Sequence, residues 1–497
     1  MAFLIGVDVG SQSVKACVLD DEGRRRALHD APCRLHHPAS GWAEQDPQDW
    51  LTALAVAVRG ACAQAGVTRQ DAVTLGLASQ VDGVVAVDER HRALRPGIIW
   101  MDRRAGRETT ALATAAGDER LHRLTGLNPD SSHSGPKAMW LRDHEPDVYR
   151  SARWLASVGA YLNGWLTGET VHDHANASSS LLYDLERRDW SDELVAAAGL
   201  DARHLPTIAP AHAVIGRLRP EAAEQLGLPA HTQVVTGTGD DHGAALGAGA
   251  VGPGVLVDVT GTAEPVAIPA AAVIIDDERL VETHAHAVDG TLLVENPGFV
   301  SGGSTRWLSE VTGRTQGDLF AAAAEAPPGS EDVIFVPALS GSMAPRWDDD
   351  IRGCFARLGL GHGVPHLARA VLEGCAYALR DIVDRLDALG VGGEEIRVVG
   401  GGARSALWLQ IKADVTGRPA RRVLGDCATS TGAAMLAGVA AGAFPDLETA
   451  VEACVELDPA PVVPDAGTAG VYAESYAAYR SLFDAVQTWT PRAEVRA

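Results

Sequence analysis

Two short segments of the chain carry residue types suited to holding phosphate. In the first, a β-branched run, Phe3-Leu4-Ile5-Gly6-Val7-Asp8-Val9, ends beside a carboxylate. The small-residue turn Gly10-Ser11-Gln12-Ser13 follows, and Val14-Lys15-Ala16-Cys17-Val18-Leu19 returns. A hairpin of this kind gathers turn N–H groups in one concavity that suits phosphate oxygens. Asp8 beside it suits a magnesium ion with its water shell. Taken alone, the pattern describes an ordinary hairpin equally well. It recurs about 250 residues later, where Gly254-Val255-Leu256-Val257-Asp258-Val259 leads into Thr260-Gly261-Thr262 and then Pro265-Val266-Ala267-Ile268. One copy near the start of each half points to a duplicated α/β domain closing on a nucleotide. A third segment joins the strand Glu395-Ile396-Arg397-Val398-Val399 to Gly400-Gly401-Gly402-Ala403-Arg404-Ser405 and a helix carrying Leu407, Trp408 and Ile411. Strand, triple glycine and helix start let backbone approach a flat ligand or a phosphate closely. The glycine spacing is not that of a dinucleotide fingerprint, which argues against hydride transfer.

The remaining elements must position these segments. Asp46-Pro47 reads as an N-cap with Pro at the first helical position, opening a helix over Gln48–Gln64. Ala72–Leu77, Val84–Val87 and Thr232–Thr236 read as strands. Ser151–Leu166, His366–Leu389 and Ala473–Trp489 read as amphipathic helices, and Cys427–Pro445 as a tightly packed buried one. A boundary near Gly237 divides the chain into domains at 1–237 and 238–497, in keeping with 497 residues. Basic residues number 42 against 65 acidic, a net −23 that repels nucleic acid held by bulk charge. No segment has the length and apolarity of a membrane span, and no basic leader precedes Asp8. Seven scattered cysteines without a paired spacing favour a reducing cytoplasm. Only Lys15, Lys137 and Lys412 are lysines; Arg serves almost everywhere else a cation is used.

Six pieces in order resemble the FGGY carbohydrate kinases of the actin, Hsp70 and hexokinase superfamily. They are Gly6–Ser11 with Lys15; Gly41-Trp42-Ala43-Glu44-Gln45-Asp46-Pro47; Ser134-Gly135-Pro136-Lys137 with Trp140; Gly237-Thr238-Gly239-Asp240; Thr260-Gly261-Thr262; and Gly400–Ser405. The resemblance implies two actin-like (ribonuclease H-like) α/β domains with a nucleotide and sugar cleft between them. It implies ATP as donor and Mg2+ as its partner ion. Asp240 is then the general base, and touches both sugar and metal. Asp8 positions the metal. Gly10, Ser11, Gln12, Ser13 and Lys15, with Thr260, Gly261 and Thr262, hold phosphates, while Gly400, Gly401, Gly402, Ala403 and Arg404 take the adenosine. At a helix start the dipole would keep Asp240 charged, with its neighbour Asp241 as the cap.

Sugar contacts implied by the same resemblance are Gln80, Val81, Asp82, Trp100 and Asp102. Xylulokinases in the family usually show Gln-Met-His-Gly where this chain has Gln80-Val81-Asp82-Gly83, and the Arg-Glu pair of glycerol kinases is absent. Asp82 can accept from two neighbouring hydroxyls, so the ligand is expected to be a polyol. D-xylulose leads. Another ketose, a tetritol or autoinducer-2 is the alternative, and a non-catalytic nucleotide or sugar sensor the alternative class. Homodimers are frequent among relatives. His172-Asp173-His174 and His284-Ala285-His286 lack a third ligand at zinc spacing and are expected at the surface or in the groove. Trp42 and Trp140 are expected to pack, and Asp348–Asp350 to form a solvated loop.

Overall fold

The computed structural model describes residues 2–489. Its first sheet is built on β1 (Ala2–Val9), β2 (Ser13–Asp20), β3 (Arg25–Pro32), β4 (Ala72–Ser79), β5 (Val214–Arg217) and β6 (Gln233–Val235), in spatial order β5-β6-β4-β1-β2-β3. The hairpin β1–β2 is antiparallel, with Asp8 opposite Lys15, and β4 runs parallel to β1. Thr238 and Gly239 still pair with β4 before helix Asp240–Gly247 begins.

The second sheet contains β7 (Val255–Val259), β8 (Val266–Ala270), β9 (Glu282–Ala285), β10 (Leu292–Asn296), β11 (Glu395–Val399) and β12 (Ala420–Arg422), in order β9-β10-β8-β7-β11-β12. It repeats the first sheet's plan. A hairpin, β7–β8, is flanked by an antiparallel strand, β10, on one side. On the other side lie the parallel strands β11 and β12. The duplication read from two similar hairpins is therefore a duplication of topology.

Five helices matter for the site: α1 (Pro47–Ala65), α2 (Val158–Thr167), α3 (Asp240–Gly247), α4 (Ala406–Thr416) and α5 (Ala428–Ala440). Asp46 caps α1 by accepting from the Gln48 N–H at 2.9 Å, and Pro47 takes the first helical position. Alternation along β1 decides what each residue meets. Ile5, Val7 and Val9 pack with Trp50, Leu54 and Val58 of α1. Leu4 joins Met435 and Leu436 of α5 on the opposite face. Gly6 lies on that second face, as does Asp8, which therefore points away from α1.

Two glycines there admit only backbone. A Cβ on Gly6 would stand 1.8 Å from Ser430 O, and one on Gly432 would stand 2.1 Å from Gly243 O. So α5, from the second half of the chain, lies directly on the first sheet, and α3 lies directly on α5. Gly432→Ala is expected to cost about 3 kcal/mol or more, since neither helix backbone has a side chain to move aside. Urea denaturation with the midpoint and slope both fitted checks this; an unchanged midpoint would show that the helices separate freely.

The region 151–166 departs from expectation. Trp154–Ala156 is a strand paired with Val85–Val87, and α2 starts only after Ser157, whose Oγ accepts from the Ala160 N–H at 3.2 Å. Trp154 and Leu155 fit either period, and Ser157 as N-cap sets the break. Asp348 is more than a solvated residue: it accepts from the amides of Asp350 and Ile351 and from Gln487. Trp42 and Trp140 pack edge to face with ring centroids 5.5 Å apart, and the Arg104 guanidinium lies 3.6 Å from the Trp42 ring centroid.

Candidate active site

The end of β1 and the start of α3 bring Asp8, Asp240 and Asp241 into one electrostatic group. Burial pushes Asp8 up to about 6, with Asp241 adding to the shift and Lys15 opposing it. Burial pushes Asp240 well above the carboxylate range, reinforced by Asp241 and Asp8. Asp241 is pushed up to about 6, by burial and then by Asp82. The expectation that the helix dipole keeps Asp240 charged is therefore corrected. Desolvation and two like charges outweigh half a unit of partial charge.

The capping expectation is also corrected. Gly239 is the N-cap and has no side chain to offer; Asp240 is the first helical residue, and its own Oδ1 accepts from the Asp241 N–H at 3.2 Å. Among the described residues no three His, Cys, Asp or Glu side chains stand where they could chelate one ion. Mutually repelling carboxylates without a chelating triad suit a cation that keeps several waters and arrives with phosphate oxygens, which is magnesium's habit.

The first phosphate turn offers part of its expected cradle. The Gly10 N–H closes the hairpin on Ser13 O at 3.1 Å, and Gln12 O accepts from Cys33 N–H at 2.8 Å. The Gly10 amide is therefore spent inside the protein. The Ser11 and Gln12 amides donate to no acceptor among the described residues and remain for a ligand.

The second turn is braced from below. Lys412 of α4 is buried and donates to Asp258 Oδ2 at 2.5 Å, Thr260 Oγ1 at 2.6 Å and Glu264 Oε1 at 2.9 Å. Thr260 Oγ1 also bonds Asp258 Oδ1 at 2.9 Å. Asp258 holds the place in this copy that Asp8 holds in the first, and here the carboxylate is consumed by structure. Gly400, in a left-handed conformation at φ +91°, and Gly402 both press on Thr260, while Gly401 faces open space. Ala403 is in the core, so only its backbone faces the turn, and Arg404 is exposed and ion-paired with Asp426 at 2.6 Å.

The expected sugar residues divide. Asp82, itself at a left-handed φ of 59°, lies close enough to Asp241 to raise its pKa. Val81 packs against Gly239, beside Asp240. Trp100 is 39% exposed and stands free to meet a ligand. Gln80 is buried, donating Nε2 to Gln45 Oε1 at 2.7 Å and leaving its own Oε1 without a partner.

Asp102 is corrected from sugar contact to structural anchor. It is fully buried, accepts from the Ala43 N–H at 2.6 Å, and binds the Arg104 guanidinium through both oxygens at 2.8 and 2.7 Å. Lys137 is likewise structural, buried and donating to the carbonyls of Asp82, Ile99 and Ser132.

Beneath Asp82 lies a polar layer that sequence reasoning missed. His133 Nδ1 stands 3.2 Å from Asp82 Oδ1, and its Nε2 stands 4.0 Å from Glu282 of the second sheet. Burial opposes its charge, yet Asp82, Glu282 and Asp130 together push its pKa up to about 9. His133 in turn holds Asp82 below the ordinary carboxylate range against burial. Glu282 also accepts from the Asn128 N–H at 2.7 Å, tying the two halves together. Glu295 and His284 complete the layer, 3.2 Å apart. Glu295, in the otherwise apolar run Leu292-Leu293-Val294, is the one signal that could have flagged it.

Of the four histidines expected at the surface or in the groove, three are buried and none lies at the open surface. His284 and His286 are buried, the latter 2.9 Å from Ala250 O. His172 is buried as well, accepting from the Ser157 N–H at 3.0 Å through Nε2, while Asp173 caps helix His174–Ser178. Desolvation alone lowers the His172 pKa to about 3. The unfolded chain therefore takes this proton from pH 6.5 downward and the folded one does not. The contribution of His172 is intact above pH 6.5 and is lost as pH falls toward 3. His172→Gln keeps an acceptor without the titration. From pH 7.5 to 5.0 the stability gap between wild type and variant should close by about 2 kcal/mol. Parallel stability–pH curves from denaturant titrations would refute it.

No helix among the described residues is long and apolar enough to cross a membrane. The family models for the N-terminal and C-terminal domains of the FGGY family of carbohydrate kinases match residues 3–247 and 260–441. The chain is 33% identical over 439 residues to the xylulose kinase of Escherichia coli (strain K12), covering 88% of this chain and 90% of that protein. It is 32% identical over 464 residues to the glycerol kinase of Bordetella parapertussis, covering 90% of each. The crystal structure of xylulose kinase from Rhodospirillum rubrum superposes with a TM-score of 0.90 at 28% identity, covering 98% of this chain and 99% of that one. The chain belongs to the FGGY family of carbohydrate kinases, and it is a sugar kinase.

Proposed function

We propose that this kinase transfers the γ-phosphoryl group of ATP to a hydroxyl of D-xylulose, giving D-xylulose 5-phosphate, with Asp240 as the general base. The observation that carries the reading is that Asp240, at the start of α3, feels the charges of Asp8, at the phosphate turn, and of Asp241, which in turn feels Asp82 of the sugar segment. Asp240 accepts the hydroxyl proton as the sugar oxygen bonds to phosphorus, a late transfer in a loose transition state. The Ser11 and Gln12 amides and the Thr260–Thr262 turn orient the phosphate chain, and Gly401 admits the adenosine. Magnesium, when bound, supplies the charge neutralisation that the triphosphate needs. Asp8 and Asp240 are the side chains that would hold it, and its charge would offset the repulsion that raises the Asp240 pKa. Asp82, kept ionised by His133, accepts from two sugar hydroxyls.

The E. coli similarity and the likeness to the R. rubrum structure support xylulose. Glycerol kinases at nearly equal identity make other polyols the second reading, against which stands the missing Arg-Glu pair. ADP release on a panel of ketoses and polyols, glycerol included, tests both readings. D-xylulose is expected to give the highest kcat/KM. A higher value for another polyol moves the assignment to it, and no turnover with any of them favours a sensor.

A further inference from the structure

Two cysteines from opposite halves of the chain meet under the first phosphate hairpin. Cys17 lies on β2 and Cys427 immediately precedes α5, at its N-cap. Both belong to the cluster that also holds Leu4, Leu19 and Leu436. The Cys17 thiol interacts with the Cys427 sulfur within this cluster. Arg25 Nη1 donates to that sulfur at 3.2 Å, and Thr431 Oγ1 lies 3.5 Å away. Arg25 itself is exposed.

Helix N-terminus, guanidinium, hydroxyl and thiol are the surroundings that stabilise a thiolate. The Cys427 pKa is accordingly pulled below the ordinary thiol range, chiefly by Cys17 and against burial, with Thr431 and Arg25 assisting. Burial instead pushes Cys62 and Cys454 up to about 12.

We propose that Cys427 is a peroxide-reactive thiolate with Cys17 as its resolving partner, forming a reversible disulfide that modulates nucleotide binding. The Cys427 thiolate attacks one oxygen of a hydroperoxide. The O–O bond breaks, hydroxide (or alkoxide) leaves, and sulfur loses two electrons to the peroxide. The Cys17 thiol then gives up its proton and displaces hydroxide from the sulfenic sulfur; the S–S bond forms, the S–O bond breaks, and water leaves. The nucleotide site feels this through the chain. Cys17 shares the hairpin with Ser11 and Gln12, and Asp426, next to Cys427, holds Arg404 beside the glycine turn.

The test treats the full-length protein with one equivalent of hydrogen peroxide at neutral pH, then maps alkylated peptides by mass spectrometry. The expected product is a Cys17–Cys427 disulfide, lighter by two hydrogens, with weakened ATP binding by calorimetry; dithiothreitol restores both. Cys17→Ser is expected to leave a Cys427 sulfenate that dimedone traps, and Cys427→Ser to keep its ATP affinity after peroxide. Oxidation of any other cysteine ahead of Cys427, or a Cys427 that stays reduced, overturns the proposal. The mapping needs no sugar, so its outcome is independent of the substrate assigned above.

Discussion

Asp240→Asn is expected to lower sugar-dependent ADP release by about 10³-fold, the scale of a lost general base. The same change should leave the protein at least as stable as wild type. Asp241 and Asp8 both raise the Asp240 pKa, so a neutral amide at the first position of α3 removes repulsion and breaks no ion pair. Loss of turnover together with an unchanged or raised melting temperature separates a chemical role from a structural one. Asp241→Asn is the comparison: as a neighbour and not the base, it should cost far less turnover. If Asp240→Asn and wild type release ADP at the same rate, residue 240 is not the base. If the variant instead melts early, the carboxylate holds the helix start.

Lys412→Met is the change with the largest expected effect on stability, about 3–5 kcal/mol, because it leaves buried carboxylates without their cation. Asp258 and Glu264 are both fully buried and both bonded to the Lys412 ammonium. Burial and Asp258 already push Glu264 up to about 7. Without Lys412, Glu264 takes up a proton at neutral pH, and Thr260 loses the donor beneath the second phosphate turn. Pairing Lys412→Met with Asp258→Asn should return part of the loss, since one uncompensated charge goes with the lysine. Lys412→Arg should fail to rescue. Three acceptors around one nitrogen match a compact ammonium, whereas a planar fork is larger and needs its acceptors in one plane. Calorimetric melting of the four proteins measures all of this, and a melting temperature for Lys412→Met equal to wild type would contradict it.

The three lysines of this Arg-rich chain show how far composition reaches. Their rarity marks Lys15, Lys137 and Lys412 as positions where a point charge resists replacement. Lys137 binds three oxygens converging from separate parts of the chain, and Lys412 three from one distant hairpin. Their roles differ from phosphate binding, because burial and partner geometry lie outside any local pattern. Asp102 makes the same point. Its segment resembles a sugar-contacting one, yet the Ala43 amide, 59 positions away in sequence, and Arg104 take both of its oxygens.

Much of the local chemistry was legible: β-branched runs that must be strands, small-residue turns that leave some amides free, Asp46-Pro47 as a helix start, and a repeated hairpin. Each rests on contacts within a few residues, where period and turn chemistry decide the outcome. Charge states, the His133–Glu282 layer and the meeting of Cys17 with Cys427 came only from the fold. Desolvation and Coulomb terms depend on neighbours hundreds of residues distant, and the approach of α5 to the first sheet through Gly6 places those neighbours.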